Sequence, residues 1–351
     1  MPRVSKEALQ RFATELFVAG GAGPEESEIV ADSLVQANLR GHDSHGVMRI
    51  AYYIGRMKAG KLAPGAQLTV EKETPAALVC DGNWGFGQPL SRQMIDRLTD
   101  KARTNGIALG TLRRASHIGR VGEYAERAAA QNMIAIICVN NQGAAQRVAP
   151  VGGIRPRLGT NPICIGMPGA SEGPFVLDFG TSATAEGKVR VKKIAGEEIP
   201  LGWVLDPDGD PTTDPNQLYG DPPGTILPMG GDQAYKGFGL AFMIEMLAGG
   251  LSGGLCAEPH NPPAIGNCVM FIVIAPETLA GIGHLEAEVT KLEQYVRSVP
   301  LKDGVDRVTL PGDPERVTLK QRTAEGIPFD KGNWQALLDL AQELGVEPPS
   351  A

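Results

Sequence analysis

The sequence predicts an α/β fold, a sheet covered by helices, with helical parts at the N- and C-terminal ends. Apolar residues recur at helical spacing through the first segment of the chain. From about residue 66, short apolar runs alternate with helical ones, which is the pattern of an α/β sheet. After about residue 285 the spacing is helical again.

Three helices are expected before the sheet begins. The first spans Leu9–Phe17 and ends at a pair of glycines. Pro24 opens the second, at a position where its missing N–H costs nothing, and Gly41 ends it. The third lies within 46–60. Its inward-facing residues are Ile50, Tyr53, Ile54 and Met57.

Strands and helices then alternate as far as about residue 276. The expected strands are 75–80, 107–112, 133–139, 163–167, 174–179 and 268–276, the last of them central. The expected helices are 90–102, 121–130, 184–194 and 236–251. The Gly/Pro-rich stretch 140–162 is too long for a simple connection and is expected to be functional, while 206–215 is a turn. Three amphipathic helices, broken at 310–315 and 326–328, complete the chain.

Composition excludes several classes of function. The net charge of −7, the isoelectric point near 5.4 and the lack of a basic run leave no footprint for nucleic acid. The N-terminus lacks the apolar core of a signal peptide, and no apolar run has membrane-spanning length. The five cysteines are odd in number and form no CxxC pair. We expect buried, reduced thiols in a cytoplasmic protein, especially at Cys80, Cys138, Cys164 and Cys268.

Several common motifs are missing from the sequence. There is no GxGxxG in a strand-turn-helix context and no GxxxxGK[ST] phosphate loop. HExxH and GxSxG are also absent. A standard Rossmann dehydrogenase, a nucleotide triphosphatase, a zincin and an α/β-hydrolase are therefore disfavoured.

The stretch RGHDSHGVMR, which ends at Arg49, holds two of the five histidines. A metal site of His42, His45 and Asp43 is disfavoured, because the Asp43 side chain should point elsewhere. A Ser44–His45 nucleophile and base is disfavoured, because the two residues are sequence neighbours and the imidazole is poorly arranged to reach the preceding hydroxyl. Capping of the next helix by Ser44 or Asp43 is expected, but it does not explain two imidazoles and an arginine. The favoured interpretation makes His45 a proton donor to a ketone and Arg49, four residues along one helix face, a carboxylate anchor.

The remaining clusters each have a functional and a structural interpretation. After His117, the N–H groups of 119–121 can face an anionic cofactor group or serve an ordinary turn. Asn161, before a proline, and Asp178, at a strand end, suit either a ligand or a turn and a helix cap. Lys236 at a helix start opposes the helix dipole unless an anion is present, but it can equally be solvated.

Seven motifs follow one another in the order GHDSHGVMR, SHIGRVGEYAE, LGTNPICIGMP, LDFGTSATAEGK, YKGFGLA, LAGGLSGG and LPGDPE. In this order they resemble the type-2 malate/L-lactate dehydrogenase family. That family includes ureidoglycolate, sulfolactate and diketogulonate dehydrogenases and cyclic imino-acid reductases. The resemblance runs from about residue 5 to about residue 345, and the chain looks most similar to the bacterial hydroxycarboxylate dehydrogenases.

The resemblance implies a non-Rossmann fold that binds NAD or NADP, of the L-sulfolactate dehydrogenase-like type, with a mixed sheet. It implies a homodimer with the active site in a cleft. A helical, substrate-binding and dimer-forming part over 1–115, completed by 290–351, would face a cofactor-binding part over 116–289.

The resemblance also implies the roles of site residues. His45 is the proton donor with Ser44 assisting, Arg49 holds the carboxylate, and His117 lies near nicotinamide and substrate. Tyr235 stands where related proteins often have histidine, so any pH-dependent or phosphate role of that histidine does not carry over. The implied cofactor contacts are Gly119, Arg120, Val121, Asn161, Val176, Leu177, Asp178, Phe179, Gly180, Tyr235, Lys236, Asn267, Gly312, Asp313, Pro314 and Glu315.

We therefore expect an oxidoreductase that transfers a hydride between NAD(P)H and a small 2-oxo or 2-hydroxy acid, such as malate, lactate or a related hydroxycarboxylate. It would be a cytoplasmic homodimer without metal and without nucleic-acid or membrane partners. The alternative within enzymes is NAD(P)H-dependent reduction of a cyclic imino acid, pyrroline- or piperideine-2-carboxylate. A metal-dependent hydrolase, or a catalytically silent binding protein that keeps the fold, are the hypotheses from other classes.

Overall fold

The computed structural model describes residues 2–169, 172–259 and 265–349. Its strands are β1 (Arg3–Val4), β2 (Thr69–Glu73), β3 (Ala77–Asp81), β4 (Ile107–Ala115), β5 (Ile134–Asn140), β6 (Ile163–Met167), β7 (Phe175–Phe179), β8 (Val204–Leu205), β9 (Pro211–Thr212), β10 (Thr225–Ile226), β11 (Asn267–Ile274) and β12 (Ile327–Pro328). Its helices are α1 (Lys6–Ala19), α2 (Pro24–Leu39), α3 (Ile50–Lys58), α4 (Gly87–Asn105), α5 (Gly122–Ala129), α6 (Glu186–Ala195), α7 (Ala234–Ile244), α8 (Ile282–Arg297), α9 (Asp313–Glu325) and α10 (Lys331–Leu344).

A seven-stranded sheet of order β2-β3-β4-β11-β5-β6-β7 forms the centre of the molecule. Only β3 and β4 pair in parallel, and the other neighbours are antiparallel. The predicted α/β class, the mixed sheet and the helical ends are thus confirmed. The strand predicted to be central is β11, which pairs with β4 on one side and β5 on the other.

The structure has two large apolar cores. One lies between the sheet and helices α4 and α5, with Leu98, Tyr124 and Phe271 fully buried. The other lies among α1, α2, α3 and α10 and includes Phe17 and Tyr53. A smaller core sits beneath the three-stranded sheet β10-β8-β9. The candidate site lies where the helical layer and the sheet approach each other.

The helix expected to begin near Gly46 begins later. Two 3-10 turns, Asp43–His45 and Val47–Arg49, come first, and α3 begins only at Ile50. Neither Ser44 nor Asp43 caps a helix, since the Val47 N–H donates instead to the side-chain oxygen of Asn38 at 2.9 Å. The expectation that Ser44 or Asp43 caps a helix here was wrong, because a more distant side chain supplies the acceptor.

Other boundaries differ in smaller ways. The helix predicted over 236–251 is α7 followed by one π-helical segment, Glu245–Gly250. Strands β2, β3 and β4 precede the boundary predicted at 115/116, yet they pair into the sheet that continues beyond it. Strands β2, β3 and β4 therefore belong to the same sheet as the strands of the predicted cofactor part, and the assignment of separate substrate and cofactor parts stays a prediction. Met1 and residues 350–351, at the ends of that division, lie outside the described residues.

All five cysteines are free, and the four in apolar strand runs are buried as expected. Cys256 is partly buried. Among the described residues, no helix combines the length and apolarity that a membrane crossing requires.

Alanine substitutions at two glycines, Gly166 and Gly55, are expected to change the stability of the fold in opposite directions. A Cβ added to Gly166 on β6 would lie 2.6 Å from the Ala125 Cβ of α5, whereas nothing lies within 4 Å of one added to Gly55 on α3. We expect Gly166→Ala to destabilise the fold by about 1–3 kcal/mol through overpacking. Gly55→Ala, the matched control, should stabilise it by about 0.5–1 kcal/mol. Thermal unfolding of both variants checks this, and an unchanged Tm for Gly166→Ala would contradict the tight packing of α5 on β6.

Candidate active site

The buried side-chain amide of Asn38 holds the loop 42–49 in place. Asn38, at the end of α2, donates to the Asp43 carboxylate at 2.7 Å and accepts the Val47 N–H at 2.9 Å. A Cβ on Gly46 would lie 2.2 Å from the Asn38 side-chain oxygen. Glycine is required at 46 because this amide occupies the space that any side chain would need.

Helix α9 anchors the same loop from the other side. Arg322 donates to both carboxylate oxygens of Asp43, at 2.6 and 3.0 Å, and His42 contacts Glu315 at 3.1 Å. Asp43 therefore faces Arg322 and does not turn toward the histidines. Within the described part of the chain, no three His, Cys, Asp or Glu side chains come together as a metal-binding group.

His45 and His117 lie face to face. Their ring centroids are 5.5 Å apart and their planes differ by 18°. The Nδ1 of His45 lies 3.0 Å from the Ser44 hydroxyl. Desolvation, followed by the charges of Arg49 and His42, lowers the pKa of His45 to about 3. This ring is therefore neutral at pH 7 in the unliganded protein.

His117 has a different set of hydrogen-bond partners. Its Nδ1 lies 2.6 Å from the Tyr53 hydroxyl and 3.3 Å from the Gly119 N–H. Gln88 donates to the same tyrosine oxygen at 2.9 Å. Desolvation, then the charges of Arg49 and His45, holds the pKa of His117 well below its ordinary value.

Arg49 presents the open end of its guanidinium to a cavity of about 350 Å³, which we call the Arg49 cavity. Its Nε donates to the Ser44 carbonyl at 2.6 Å, and its two terminal nitrogens have no hydrogen-bond partner among the described residues. Two free N–H groups on one face suit a carboxylate. The cavity is also lined by His45, His117, Tyr52, Arg147 and Glu186.

A second cavity, of about 380 Å³, is also lined by the two histidines, and we call it the Arg120 cavity. Arg120 is only 3% exposed, and one of its nitrogens donates to Glu126 at 2.7 Å. Its Nε and Nη1 have no partner within the described structure. A buried guanidinium with two unused donors suits an anionic ligand group.

Asp178 lies beside this guanidinium at the N-terminus of α5. It accepts the Gly122 N–H at 2.6 Å. Burial raises the pKa of Asp178, although Arg120 and His42 act in the opposite direction. The carboxylate thus occupies the position at the helix terminus next to the unused donors of Arg120.

The structure brings together most of the residues predicted from the sequence. Arg49 lines its own cavity with His45 and His117. The predicted residues around the Arg120 cavity are Ser44, His45, His117, Gly119, Arg120, Val121, Asp178, Phe179, Gly180 and Asn267. Gly119 differs in detail, because its N–H donates to His117. Arg120 offers its side chain in addition to its backbone.

The other predicted cofactor contacts do not line either cavity. The Asn161 side chain is buried and donates to Glu245 at 2.5 Å, although its neighbours Thr160 and Pro162 do line the Arg120 cavity. Val176 belongs to the apolar core and Leu177 is exposed. The roles of Asn161, Val176 and Leu177 as cofactor contacts stay predictions.

The last two groups of predicted cofactor contacts, 235–236 and 312–315, also line neither cavity, and their roles stay predictions. Tyr235 and Lys236 are exposed on the first turn of α7. Asp313, after the left-handed Gly312, accepts from Arg297 and Arg316, and Glu315 contacts His42. Burial alone would raise the pKa of Asp313, but its arginine and backbone donors hold it well below its ordinary value. Pro314 forms the first turn of α9.

Several site residues are not evident from the sequence alone. Tyr53 fits the apolar stripe of α3, so the sequence indicates a core residue. Only its hydroxyl group, which needs a hydrogen-bond partner when buried, indicates a further role. Arg147, which lines the Arg49 cavity, lies in the long loop 140–162 that was expected to be functional. Lys188, which lines the Arg120 cavity, lies on α6, after the strand that ends at Phe179. Asn267 was predicted to contact the cofactor, but its side chain also accepts the Ile118 N–H at 3.0 Å and so holds the His117 loop.

Comparisons with known proteins agree with one another. Hydroxycarboxylate dehydrogenase B of Escherichia coli is 37% identical over 348 residues, which are 98% of this chain and 95% of that protein. The structure of malate dehydrogenase from Pyrococcus horikoshii matches with a TM-score of 0.89 and 30% identity, covering 99% of this chain and 97% of that one. A Δ1-piperideine-2-carboxylate reductase from Pseudomonas syringae matches with a TM-score of 0.84 and 32% identity, covering 97% and 100%.

The family described as malate/L-lactate dehydrogenase matches residues 4–338, nearly the whole length of the sequence. The chain belongs to this malate/L-lactate dehydrogenase family.

Proposed function

We propose that the chain transfers a hydride between a nicotinamide cofactor and a small 2-oxo or 2-hydroxy acid. One observation carries the proposal: the neutral imidazole of His45 lines the same cavity as Arg49, whose terminal nitrogens have no hydrogen-bond partner among the described residues. A proton-transfer group beside a carboxylate anchor is what a hydroxy acid requires. The names of the relatives, hydroxycarboxylate and malate dehydrogenases, support the same class.

The Arg120 cavity is the proposed place for NAD or NADP. Its residues fit the group, because the buried Arg120 has two unused donors that suit a diphosphate. We assign the holding of the cofactor to 119–121, Asp178–Gly180 and Asn267. Hydride transfer is the chemistry that the nicotinamide supplies when bound.

The Arg49 cavity is the proposed place for the acid. Arg49 holds the carboxylate through its terminal nitrogens, with Nε fixed by the Ser44 carbonyl. His45 exchanges the proton at the reacting oxygen through Nε2, since its Nδ1 is engaged with the Ser44 hydroxyl. In the oxidation direction a neutral His45 is ready to accept the hydroxyl proton.

The imino-acid alternative is kept because a carboxylate anchor serves both substrates and a piperideine-2-carboxylate reductase shares the fold. A spectrophotometric panel separates them: NADH and NADPH are each tested with pyruvate, oxaloacetate, bulkier 2-oxo acids and a cyclic imino acid. Turnover of 2-oxo acids is the expected result. Turnover of the imino acid alone would overturn the proposal, and absence of turnover with every substrate would favour a silent binding protein. Bound stoichiometric zinc with chelator-sensitive activity would favour a hydrolase.

His45→Ala is expected to lower kcat by about 10²–10⁴-fold, because the proton at the reacting oxygen loses its carrier. The Kd of NADH or NADPH, measured by fluorescence titration, should stay unchanged. His284→Ala, on the exposed face of α8, is the matched control and should leave kcat unchanged. A collapse of cofactor binding in His45→Ala would show that this role is wrongly assigned.

Arg49→Lys is expected to raise KM for 2-oxo acids by about tenfold or more, the loss of one charged hydrogen bond of about 1.5–3 kcal/mol. Lysine keeps the charge but loses the paired N–H groups. Steady-state kinetics should also include a ketone without the carboxylate. An equal rise in KM for that ketone would remove the carboxylate assignment.

We also propose that the protein is a cytoplasmic homodimer. Helix α7, its π-helical continuation and the residue after it expose four large apolar side chains, Phe242, Met243, Met246 and Leu251, each at least 41% exposed. Large apolar side chains exposed close together along the chain are typical of an interface, and a second copy would cover them. Tyr235 and Lys236 begin the same helix and would then lie beside the interface. The free cysteines suit a reducing compartment.

Phe242→Glu is expected to shift sedimentation velocity from dimer to monomer, because a carboxylate would be buried without a partner. Ile194→Glu is the matched control, since Ile194 is an equally apolar residue, 77% exposed, on a different helix, α6. That variant should remain dimeric. A monomeric wild-type protein at assay concentration would contradict the proposal directly.

A further inference from the structure

Tyr53 connects the buried helical layer to one of the two site histidines. It is 1% exposed and stands on the inward face of α3, within the apolar core. Its hydroxyl is 2.6 Å from the Nδ1 of His117 and 2.9 Å from the side-chain nitrogen of Gln88, which is fully buried on α4. A polar chain of three side chains therefore runs from the core to the Arg49 cavity.

The directions of these hydrogen bonds determine where His117 carries its proton. The amide nitrogen of Gln88 can only donate, so the tyrosine oxygen accepts there and keeps its own hydrogen for another partner. Two acceptors of His117 lie within reach, and Nδ1 at 2.6 Å is much closer than the carbonyl oxygen at 3.5 Å. Independently, the backbone N–H of Gly119 points at the same Nδ1 at 3.3 Å. Two donors converge on one ring nitrogen, which must then bear its lone pair. The proton of the neutral ring belongs on Nε2.

We infer that Tyr53 is a positioning residue that fixes His117 as the Nε2–H tautomer, so that His117 offers the bound acid a hydrogen-bond donor and leaves proton transfer to His45. The second half of this inference rests on the proposed function. The first half concerns only the unliganded protein.

The two stacked rings differ in a way that supports this division. Among the described residues, the Nδ1 of His45 has one hydrogen-bond partner, the Ser44 hydroxyl, which can donate or accept, so His45 can gain and lose a proton. The Nδ1 of His117 faces two donors and would have to displace one to become protonated. Burial raises the pKa of Tyr53 far above its ordinary value, which keeps its hydroxyl hydrogen in place.

Long-range 1H–15N correlation spectra of the full chain with 15N-labelled histidine test the first half. There are five histidines, and His117→Gln assigns the signal of interest. We expect the wild-type spectrum to show His117 as a neutral Nε2–H ring throughout the neutral pH range. An Nδ1–H ring, or an imidazolium, would overturn the inference whatever the activity.

Tyr53→Phe tests the role of the hydroxyl. The His117 signal should move toward a mixture of tautomers, and kcat should fall about five- to tenfold, the loss of one hydrogen bond, with cofactor Kd unchanged. A purely structural role would leave the tautomer as it is. Unchanged tautomer and kcat in this variant would overturn the assignment to Tyr53.

Tyr124→Phe is the matched control. It removes another fully buried tyrosine hydroxyl, which donates to the carbonyl of Ile118 in the same loop and has no hydrogen bond to a histidine in the described part of the chain. The His117 tautomer should persist in it, and loss of the tautomer there would point to loose packing instead of Tyr53. If the Nε2–H ring is found but no substrate turns over, the tautomer inference stands and the proposed function fails.

Discussion

Two imidazoles held face to face at 5.5 Å impose the constraint on which the site depends. Two positive charges at this distance in a desolvated place would repel strongly, so the rings cannot both be protonated. Arg49 beside them makes even one protonation unfavourable. The neighbouring side chains therefore have to make two identical groups chemically different, and they do so through the partners of the two Nδ1 atoms.

Buried side-chain amides hold the rings of His45 and His117 close together, although the two histidines lie on separate parts of the chain. The loop with His45 belongs to the helical core and is held by Asn38, while the loop with His117 leaves the sheet at β4 and is held by Asn267 on β11. Gln88, on the helix between the two cores, reaches the ring through Tyr53. A buried amide that loses a partner costs about 1–3 kcal/mol, so neither loop can shift alone without a penalty. This links the packing of two separate cores to the geometry of one site.

Periodicity predicted the longer elements because helices and strands bury one face each, which is readable in α1 and β5. Strand β2 and the two-residue strands, including β9 within the predicted turn 206–215, were too short or too exposed to be predicted in this way. The loop 42–49 could not be predicted in this way. The spacing of four between His45 and Arg49 was taken for one helix face, but two 3-10 turns bring both residues to the cavity instead. Asp43 was weighed as a local cap, whereas its partner Arg322 lies 279 residues away. A local sequence pattern indicates hydrogen-bond donors and acceptors that are near in sequence. It does not indicate partners that are distant in sequence and come close only in the folded chain.

The lowered pKa of His45 couples the proton to the substrate's charge. Desolvation and the positive charge of Arg49 are the two largest causes of the lowering. A carboxylate bound at Arg49, as proposed, would neutralise that second cause and favour the imidazolium at His45. Reduction of a 2-oxo acid needs a protonated His45 and oxidation needs a neutral one. The anion and the proton would therefore enter the site together and leave together, so that the desolvated space never holds an unbalanced charge from the substrate.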